Sequence, residues 1–317
     1  MASSDLLVYI DGRLVPRAEA RVSVFDASFQ SGDNVWEGIR VYGGRVFELK
    51  AHIDRLYDSA KALDIPIHLR PFEIEEAVFS TLRANCLFDE THIRLIVTRG
   101  ERRTSGMNPQ FVDGQPMLVI IAEQKPPIFN KHGIRLVTSS VRRPTPDTLN
   151  PQIHHGNQLN SILAKIEANR AGADGAVMLD RYGFVAEADS ANLFLVKAGE
   201  IHTPVPTACL HGITRAIVIR EARAAGFAMV ERYVSLTDLH AADEVFLTGT
   251  IAEIVPVIDV DGRRIGTGAP GPVTLRISAL YRRLTETQGV SIPGAVLMPV
   301  AEADGDADGQ GHRKQGA

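Results

Sequence analysis

Glycine-centred turns between short apolar segments are the feature that most constrains how this chain folds. Residues 6–10 and 13–15 flank Asp11-Gly12, and a second pair of apolar segments flanks Gly43-Gly44. Because Asp-Gly and Gly-Gly tolerate the positive φ angles of tight turns, each pattern predicts a β-hairpin. Helical periodicity follows, with one apolar stripe over residues 50–63 and another over about 72–86. Helices and antiparallel strands mixed in this way predict an α+β fold.

The length and one proline-containing segment predict the domain organisation. A chain of 317 residues with 44% hydrophobic content is long enough for two compact cores. Neither strand nor helix periodicity continues through the segment around Pro126-Pro127. We therefore predict an N-terminal domain over 1–123, a linker over 124–132 and a second domain over 133–298. Residues 299–317 are polar and lack aromatic side chains, which predicts a disordered tail.

Charge and cysteine content limit the partners and the compartment. The formal net charge is −4 and the sequence pI is about 6.2, which provides no general attraction to nucleic acid or anionic membranes. We see no apolar run near the ~18 residues of a membrane helix and no signal-peptide pattern. The two cysteines, Cys86 and Cys209, are far apart in sequence. Reduced thiols and a cytoplasmic location are the expectation.

The segment from Pro151 to Asn192 carries the most candidates for chemistry. It begins PQIHHGN and later includes Glu187 at the end of a predicted strand. The adjacent His154 and His155 would face opposite sides of a strand, so a shared structural metal is not expected. Either histidine could act as an acid or base near neutral pH, or could be a structural residue. Glu187 could equally be a surface charge.

Three further features suggest anion binding, each with an ordinary alternative. Gly212 precedes a helical pattern that begins with Ile213 and Thr214, so backbone amides and a hydroxyl could hold a phosphate there. The same pattern is also a common helix cap. The small-residue run at 248–250, which ends in Thr250, could be a second anion-binding loop or a turn. Arg55, on the margin of an amphipathic helix, could be a simple surface cation.

Taken together, eight motifs resemble one enzyme family in their order and spacing. They are WEGIR at 36–40, HIDRLYDSA at 52–60, LDRYGFVAE at 179–187, NLF at 192–194, GITR at 212–215, ADEVF at 242–246, TGT at 248–250 and GPVT at 271–274. The family is the class IV aminotransferases, fold type IV of the pyridoxal-phosphate (PLP) enzymes. It includes branched-chain aminotransferases, D-amino-acid transaminases and aminodeoxychorismate lyases. The resemblance covers about residues 6–286 and implies a two-domain architecture with the cofactor pocket between the domains.

The resemblance implies roles for individual residues. Arg55, Ile213, Thr214 and Thr250 resemble the phosphate-binding set, and Glu187 resembles the carboxylate that pairs with the pyridine nitrogen of PLP. The loop over residues 99–109 resembles one that reaches a neighbouring subunit's active site, which implies a homodimer. The expected substrate is a small molecule like an amino acid or a keto acid. The residues implied on the substrate side are Trp36, Arg40, His92, Arg94, Gln158, Ile251 and Ala252.

One expected residue is missing. In the family, a lysine just before the helix that starts near Asn157 binds the cofactor covalently and moves the substrate proton, yet residues 151–157 contain no lysine. The lost position falls on Gln152, Ile153 or His154, depending on the gap allowed. We favour Gln152, because one branch of the family carries Lys-Ile-His-His there. A glutamine amide forms no Schiff base and does not titrate near neutral pH.

Three hypotheses follow from the missing lysine. The first is an enzyme with the family pocket that binds PLP non-covalently or not at all, with catalytic residues among Gln152, His154 and His155. Changes at Ser31, His92 and Gln158, where branched-chain enzymes tend to carry tyrosines, favour this natural departure. The second is an ordinary PLP aminotransferase in which the lysine has been substituted. The third is a non-catalytic homologue that acts as a partner subunit. Substrate identity and stereochemistry do not follow from the sequence.

Overall fold

The computed structural model describes residues 6–126 and 132–295. The predicted tail at 299–317 and most of the predicted linker at 124–132 lie outside these ranges, so the domain boundaries stay predictions. The strands are β1 (Leu7–Ile10), β2 (Arg13–Pro16), β3 (Asn34–Tyr42), β4 (Arg45–Val46), β5 (Thr91–Thr98), β6 (Leu118–Gln124), β7 (Ile134–Thr138), β8 (Gly175–Leu179), β9 (Val185–Ala188), β10 (Asn192–Lys197), β11 (Glu200–Pro204), β12 (Met229–Arg232), β13 (Glu244–Gly249), β14 (Glu253–Val260), β15 (Arg263–Arg264) and β16 (Val290–Ser291). The helices are α1 (Ala27–Ser31), α2 (Leu49–Ala62), α3 (Pro71–Ala84), α4 (Leu159–Arg170), α5 (Ile213–Ala224), α6 (Leu236–His240) and α7 (Pro272–Thr287).

The first sheet has seven strands in the order β16-β4-β3-β5-β6-β1-β2. The β1–β2 hairpin turns at Asp11 and Gly12, whose φ angles of 44° and 89° confirm the turn that the Asp-Gly pair predicts. Helices α2 and α3 cover this sheet. Ile39, Leu95, Ile53 and other fully buried residues join the sheet and α2 in one apolar core. The last short strand, β16, pairs antiparallel with β4 and forms one edge of this sheet.

The second sheet is mixed, with the order β12-β11-β10-β13-β14-β7-β8-β9 and β15 paired to β14. Strand β7 runs parallel to both β14 and β8, whereas β10 and β13 pair antiparallel. One face packs against α5 and α7, where the rings of Phe194 and Phe246 stack with centroids 5.0 Å apart. Helix α4 packs on β8. Mixed sheets with helices confirm the α+β prediction.

The pairing of β3 with β5 determines which of their residues share a face of the first sheet. Trp36, Gly38 and Arg40 stand opposite Ile96, Arg94 and His92, respectively. Because directly paired residues share a face of an antiparallel sheet, these side chains project on one side. That side meets the loop before α4 and the start of α5. Within the described residues, no helix is both long and apolar enough to cross a membrane.

Candidate active site

A cavity of about 450 Å³ lies where the two sheets meet, within the range of small-molecule sites. Trp36, Gly38 and His92 of the first sheet line one side. Residues around β9, the start of α5 and the loop after β13 line the other. The loop at 151–158 also contributes, through Ile153, His154, His155 and others. Residues from distant parts of the sequence therefore line one cavity.

One end of the cavity presents donors suited to an anion. Helix α5 begins after Gly212, which no side chain caps, so amides of its first turn lack intrahelical partners. Ile213 and Thr214 of this turn line the cavity, as does Thr250. The hydroxyl of Thr248, also on the wall, is buried and has no hydrogen-bond partner among the described residues. A buried hydroxyl without a partner is costly unless a ligand satisfies it.

Arg55 lies beside this end and is not the surface cation that its helix position alone could indicate. Its side chain is mostly buried, and its Nη1 donates to the carbonyl of His211, next to the start of α5. Its Nε and Nη2 donate to the two carboxylate oxygens of Glu37, at 2.8 and 2.7 Å. This bidentate ion pair holds the guanidinium in one orientation.

Glu37 connects Arg55 to two histidines. The Glu37 side chain is fully buried, and His52 Nδ1 lies 2.7 Å from its Oε2. His154 Nδ1 lies 3.2 Å from its Oε1. Burial would raise the pKa of Glu37, but His154, Arg55 and His52 together hold it well below its usual range. Glu37 is therefore an ionised carboxylate with cationic and hydrogen-bonding partners on both oxygens.

The cavity wall also carries a buried carboxyl group. Glu187, on β9, is buried rather than a surface charge, and its Oε1 forms a 2.6 Å ion pair with Arg143. Asn192 donates to its other oxygen at 3.2 Å and also to the carbonyl of Leu210. Burial raises the pKa of Glu187 to about 7, against the opposing effect of Arg143. The carboxyl group can therefore exchange a proton near neutral pH.

The histidine loop is irregular, so the alternation expected of a strand does not apply. His154 and His155 both line the cavity. The backbone of Trp36 donates to the carbonyl of His154 at 2.9 Å, and the indole Nε1 donates to the carbonyl of His155 at 3.0 Å. A Cβ at Gly156 would overlap the side-chain amide of Asn34, so only glycine permits this close approach. No group of three or more potential metal ligands occurs among the described residues.

Gln152 lies elsewhere. It is exposed and is not part of the cavity wall, and its amide N–H donates to the side chain of Asn150. A lysine at this point of the loop would start outside the cavity. The preference for Gln152 as the lost lysine position, and its catalytic role, therefore have no support from its location. Of the three positions considered, only Ile153 and His154 line the cavity, and of these two only His154 has a polar side chain.

The predicted substrate residues divide into two groups. Five of them line the cavity: Trp36, His92, Gln158, Ile251 and Ala252. His92 is buried, with no partner for its Nε2 among the described residues, and burial lowers its pKa to about 4. It is therefore neutral at physiological pH.

Arg40 and Arg94 are not part of the wall. Arg40 is buried farther along β3, where Nη1 donates to the carbonyl of Lys125 and the guanidinium lies over Tyr42. Its burial away from the cavity does not support a substrate role. Arg94 stacks on the ring of Trp36, with 3.5 Å between Cζ and the ring centroid, and so packs against a residue of the wall.

Several site residues do not follow from the sequence patterns. Arg143 and Asn192 bind Glu187, and Lys165 is the one lysine of the described chain on the cavity wall. In sequence, Arg143 is half of an arginine pair, and only its contact with Glu187 distinguishes it from Arg142. Glu37 and His52 lie within the recognised motifs, but nothing in their spacing indicates that both belong to one cluster with His154.

Comparison with known proteins identifies similar sequences along most of the chain. The sequence model of the family described as amino-transferase class IV matches residues 34–260. Branched-chain-amino-acid aminotransferase-like protein 2 of Arabidopsis thaliana is 50% identical over 292 residues, covering 92% of this chain and 52% of that protein. This chain thus spans about half the length of its Arabidopsis relatives. A putative branched-chain-amino-acid aminotransferase of Methanocaldococcus jannaschii is 46% identical, with 90% of this chain and 98% of that protein covered.

Solved structures show the same fold. The T.th. branched-chain amino acid aminotransferase with pyridoxamine 5'-phosphate superposes with a TM-score of 0.83 at 38% identity. The match covers 88% of this chain and 93% of that one. The branched-chain amino acid aminotransferase of Escherichia coli gives a TM-score of 0.85 at 34% identity, covering 89% and 95%.

Proposed function

The chain belongs to the class IV aminotransferase family and is similar to its branched-chain members, and we propose that it binds PLP non-covalently and acts on an amino-acid-like or keto-acid-like small molecule. The observation that carries this proposal is one cavity lined by the anion-binding groups at the start of α5, by the buried carboxyl group of Glu187 and by His154 of the loop before α4. Family membership makes it an aminotransferase-type enzyme. Its cofactor state and chemistry are proposed.

The polar groups on the cavity wall fit both the phosphate group and the pyridine nitrogen of PLP. The uncapped start of α5, Thr250 and the unpartnered Thr248 hydroxyl suit a phosphate group, with Arg55 adding positive charge. Glu187 suits a protonated pyridine nitrogen, since a carboxylate favours a cation beside it. When bound, PLP would act as the electron sink for bond cleavage at the substrate α-carbon.

The protein's own groups supply positioning and proton transfer. The ion pair with Arg143 and the hydrogen bond from Asn192 fix the Glu187 carboxylate toward the cavity. Burial lowers the pKa of His154 against the opposing effect of Glu37, which favours the neutral imidazole with one unprotonated nitrogen. No lysine is present at 151–157 to bind the cofactor covalently. We therefore assign His154 the place of the lysine and its acid-base role, with His155 beside it.

The substrate side of the cavity favours a polar group. Gln158, neutral His92 and Asn157 line it, and two of these stand where branched-chain enzymes tend to carry tyrosines. Ile251 and Ala252, which follow β13, would hold the substrate carboxylate through their backbone. The wall thus supports a substrate with a hydrogen-bonding side chain over a purely aliphatic one.

A second candidate is a conventional PLP aminotransferase whose lysine has been substituted. The arrangement of Arg55, Thr250 and Glu187 around one cavity favours it, because a pocket without PLP has no need of a carboxylate for the pyridine nitrogen. Restoring the lysine distinguishes the two candidates, because only the second candidate would then recover full transaminase activity.

We also propose a homodimer in the cytoplasm. Leu159, Ile162, Leu163 and Ile166 form an exposed apolar stripe at helical spacing on α4, which supports contact with a second copy. No residue of the loop at 99–109, all of which the structure describes, lines the cavity within one chain, which leaves this loop free to serve a neighbouring site. The free cysteines, Cys86 and Cys209, agree with a reducing compartment.

The test is amino-group transfer by the protein as it stands. Purified protein is mixed with PLP and single L- or D-amino acids, and pyridoxamine phosphate is measured by chromatography. We expect PLP retained on the protein but lost on extended dialysis, and slow transfer that His154→Ala abolishes. Absence of PLP retention at millimolar cofactor would contradict the proposal. Exposed Gln152→Ala is the matched control and is expected to leave transfer unchanged.

A further inference from the structure

The arrangement of Glu37, His52, Arg55 and His154 carries an inference about how the histidine works. Arg55 donates to both oxygens of Glu37, and its positive charge is enough to balance the buried carboxylate. Two histidines nevertheless also converge on it, at 2.7 and 3.2 Å. Only one of them, His154, also lines the cavity. The contact between Glu37 and His154 thus connects the buried cluster to the candidate site.

The chemistry of the contact decides which ring nitrogen carries the proton. An ionised carboxylate only accepts hydrogen bonds, so His154 Nδ1 must donate to Glu37. A neutral imidazole carries one proton, so Nε2 is then an unprotonated acceptor. Within the described residues His154 Nε2 has no hydrogen bond, and it lies at the opposite end of the ring from Glu37. Nε2 is therefore the nitrogen available to a ligand.

The loop backbone and the neighbouring ring fix the plane of the imidazole. The His154 amide donates to the Ser59 hydroxyl at 3.1 Å, and the carbonyl accepts from the Trp36 amide. The rings of Trp36 and His154 lie with centroids 4.0 Å apart and tilted by 41°. The His154 side chain is only 12% exposed. Rotation of the ring would break the contact with Glu37 and the packing on Trp36 together.

We propose that Glu37 is a positioning residue that holds His154 as the Nδ1–H tautomer, so that His154 Nε2 acts as the base in the cavity. This inference rests on the proposed function. In the forward step the substrate α-C–H bond breaks and Nε2 gains the proton, while bound PLP would supply the electron sink for the electron pair left at the α-carbon. The imidazolium formed is stabilised by Glu37. Return of the proton from Nε2 to the α-carbon restores the C–H bond, so this proton exchange needs no oxidant or reductant.

Other charged groups near His154 agree with this division of roles. Arg55 Nη2, which can only donate, lies 3.5 Å from His154 Nδ1, at the outer limit of a hydrogen bond and farther away than Glu37 Oε1 at 3.2 Å. His52 contacts Glu37 Oε2, so the two histidines use different oxygens. His155, the next residue, accepts at its own Nδ1 from the amide of Asn157. Glu37 is therefore the acceptor that the His154 Nδ1 proton faces.

The direct test is the tautomer of His154 in the full-length protein without added cofactor. Long-range ¹H–¹⁵N NMR of protein labelled with ¹⁵N-histidine distinguishes Nδ1–H from Nε2–H, and His154→Gln assigns the signal by its loss. At pH 7.5 we expect protonated Nδ1 and unprotonated Nε2. Glu37→Gln is expected to shift the ring toward Nε2–H. An Nε2–H tautomer in the unsubstituted protein would overturn the proposal without the need for any variant.

A second readout separates positioning from mere structure. If the protein exchanges the α-hydrogen of an amino acid with deuterium in the presence of PLP, Glu37→Gln is expected to slow exchange about 100-fold through kcat, with little change in KM. Glu37→Asp, which keeps the charge, is expected to recover part of the rate. Equal rates for Glu37→Gln and the unsubstituted protein would contradict the proposal. Failure of PLP binding with the expected tautomer intact would instead count against the proposed function alone.

Discussion

The Glu187 carboxyl group is subject to two opposing influences, burial and the neighbouring Arg143. Burial raises its pKa to about 7, whereas the arginine at 2.6 Å favours the carboxylate and lowers it. Removing the cation in Arg143→Gln must therefore raise the pKa of Glu187 further and leave the carboxyl group protonated at neutral pH. We expect ¹³C NMR of labelled glutamate to show this shift, with Arg142→Gln as the matched control. Titration of Glu187 in the ordinary range of a solvated glutamate, about 4.3, would contradict the account.

At the residue scale, a site residue can be predicted from the sequence where its motif fixes the path of the backbone. Arg55, Glu187, Thr214 and Thr250 lie on the cavity wall, and each belongs to an ungapped motif within or next to a helix or strand. The loop at 151–158 has no such frame. Its path is set by the contact of Gly156 with Asn34 and by bonds to Trp36, which come from a distant part of the sequence. The choice between Gln152 and His154 needed those contacts.

At the scale of elements, the contact between the first residue of β10 and the start of α5 links the anion-binding groups to Glu187. A Cβ at Gly212 would overlap Asn192 Oδ1, and Asn192 holds Glu187. Gly212→Ala is therefore expected to destabilise the protein by about 1–3 kcal/mol and to weaken PLP binding. Denaturant unfolding measures the first effect. The double variant Gly212→Ala with Asn192→Ala should be destabilised by less than the sum of the two single-variant destabilisations. Strict additivity would show that the clash is absent.

The longer elements could be predicted because they contain enough residues for a helical or strand period to be recognised. Helices α2, α3, α4 and α5 lie close to their predicted positions, as do the hairpins at Asp11-Gly12 and Gly43-Gly44. Helices α1 and α6 have five residues each, too few for a stripe, and depend on their caps at Asp26 and Ser235. The arginine that pairs with Glu187 was also not predictable, because that contact depends on how β7 and β9 are joined through β8.

At the scale of the whole molecule, the apolar stripe on α4 determines the expected assembly. Ile162→Glu combined with Ile166→Glu places two charges on this exposed stripe, which should prevent a second copy from packing there. We expect a monomer by light scattering after size exclusion, against a dimer for the unsubstituted chain. Leu275→Glu is the matched control, since Leu275 is the one exposed large apolar residue of α7 among those described. A dimer that survives the double substitution would place the interface elsewhere.

The central claim is that His154 occupies the place of the missing lysine in an otherwise intact PLP pocket. The most direct measurement is absorption spectroscopy with PLP before and after borohydride treatment, followed by peptide mapping, on the unsubstituted protein, His154→Lys and Gln152→Lys. We predict that borohydride fixes the cofactor only in His154→Lys, and on residue 154, because Gln152 is exposed outside the cavity. Fixation in Gln152→Lys, or on Lys165 of the unsubstituted protein, would contradict the account.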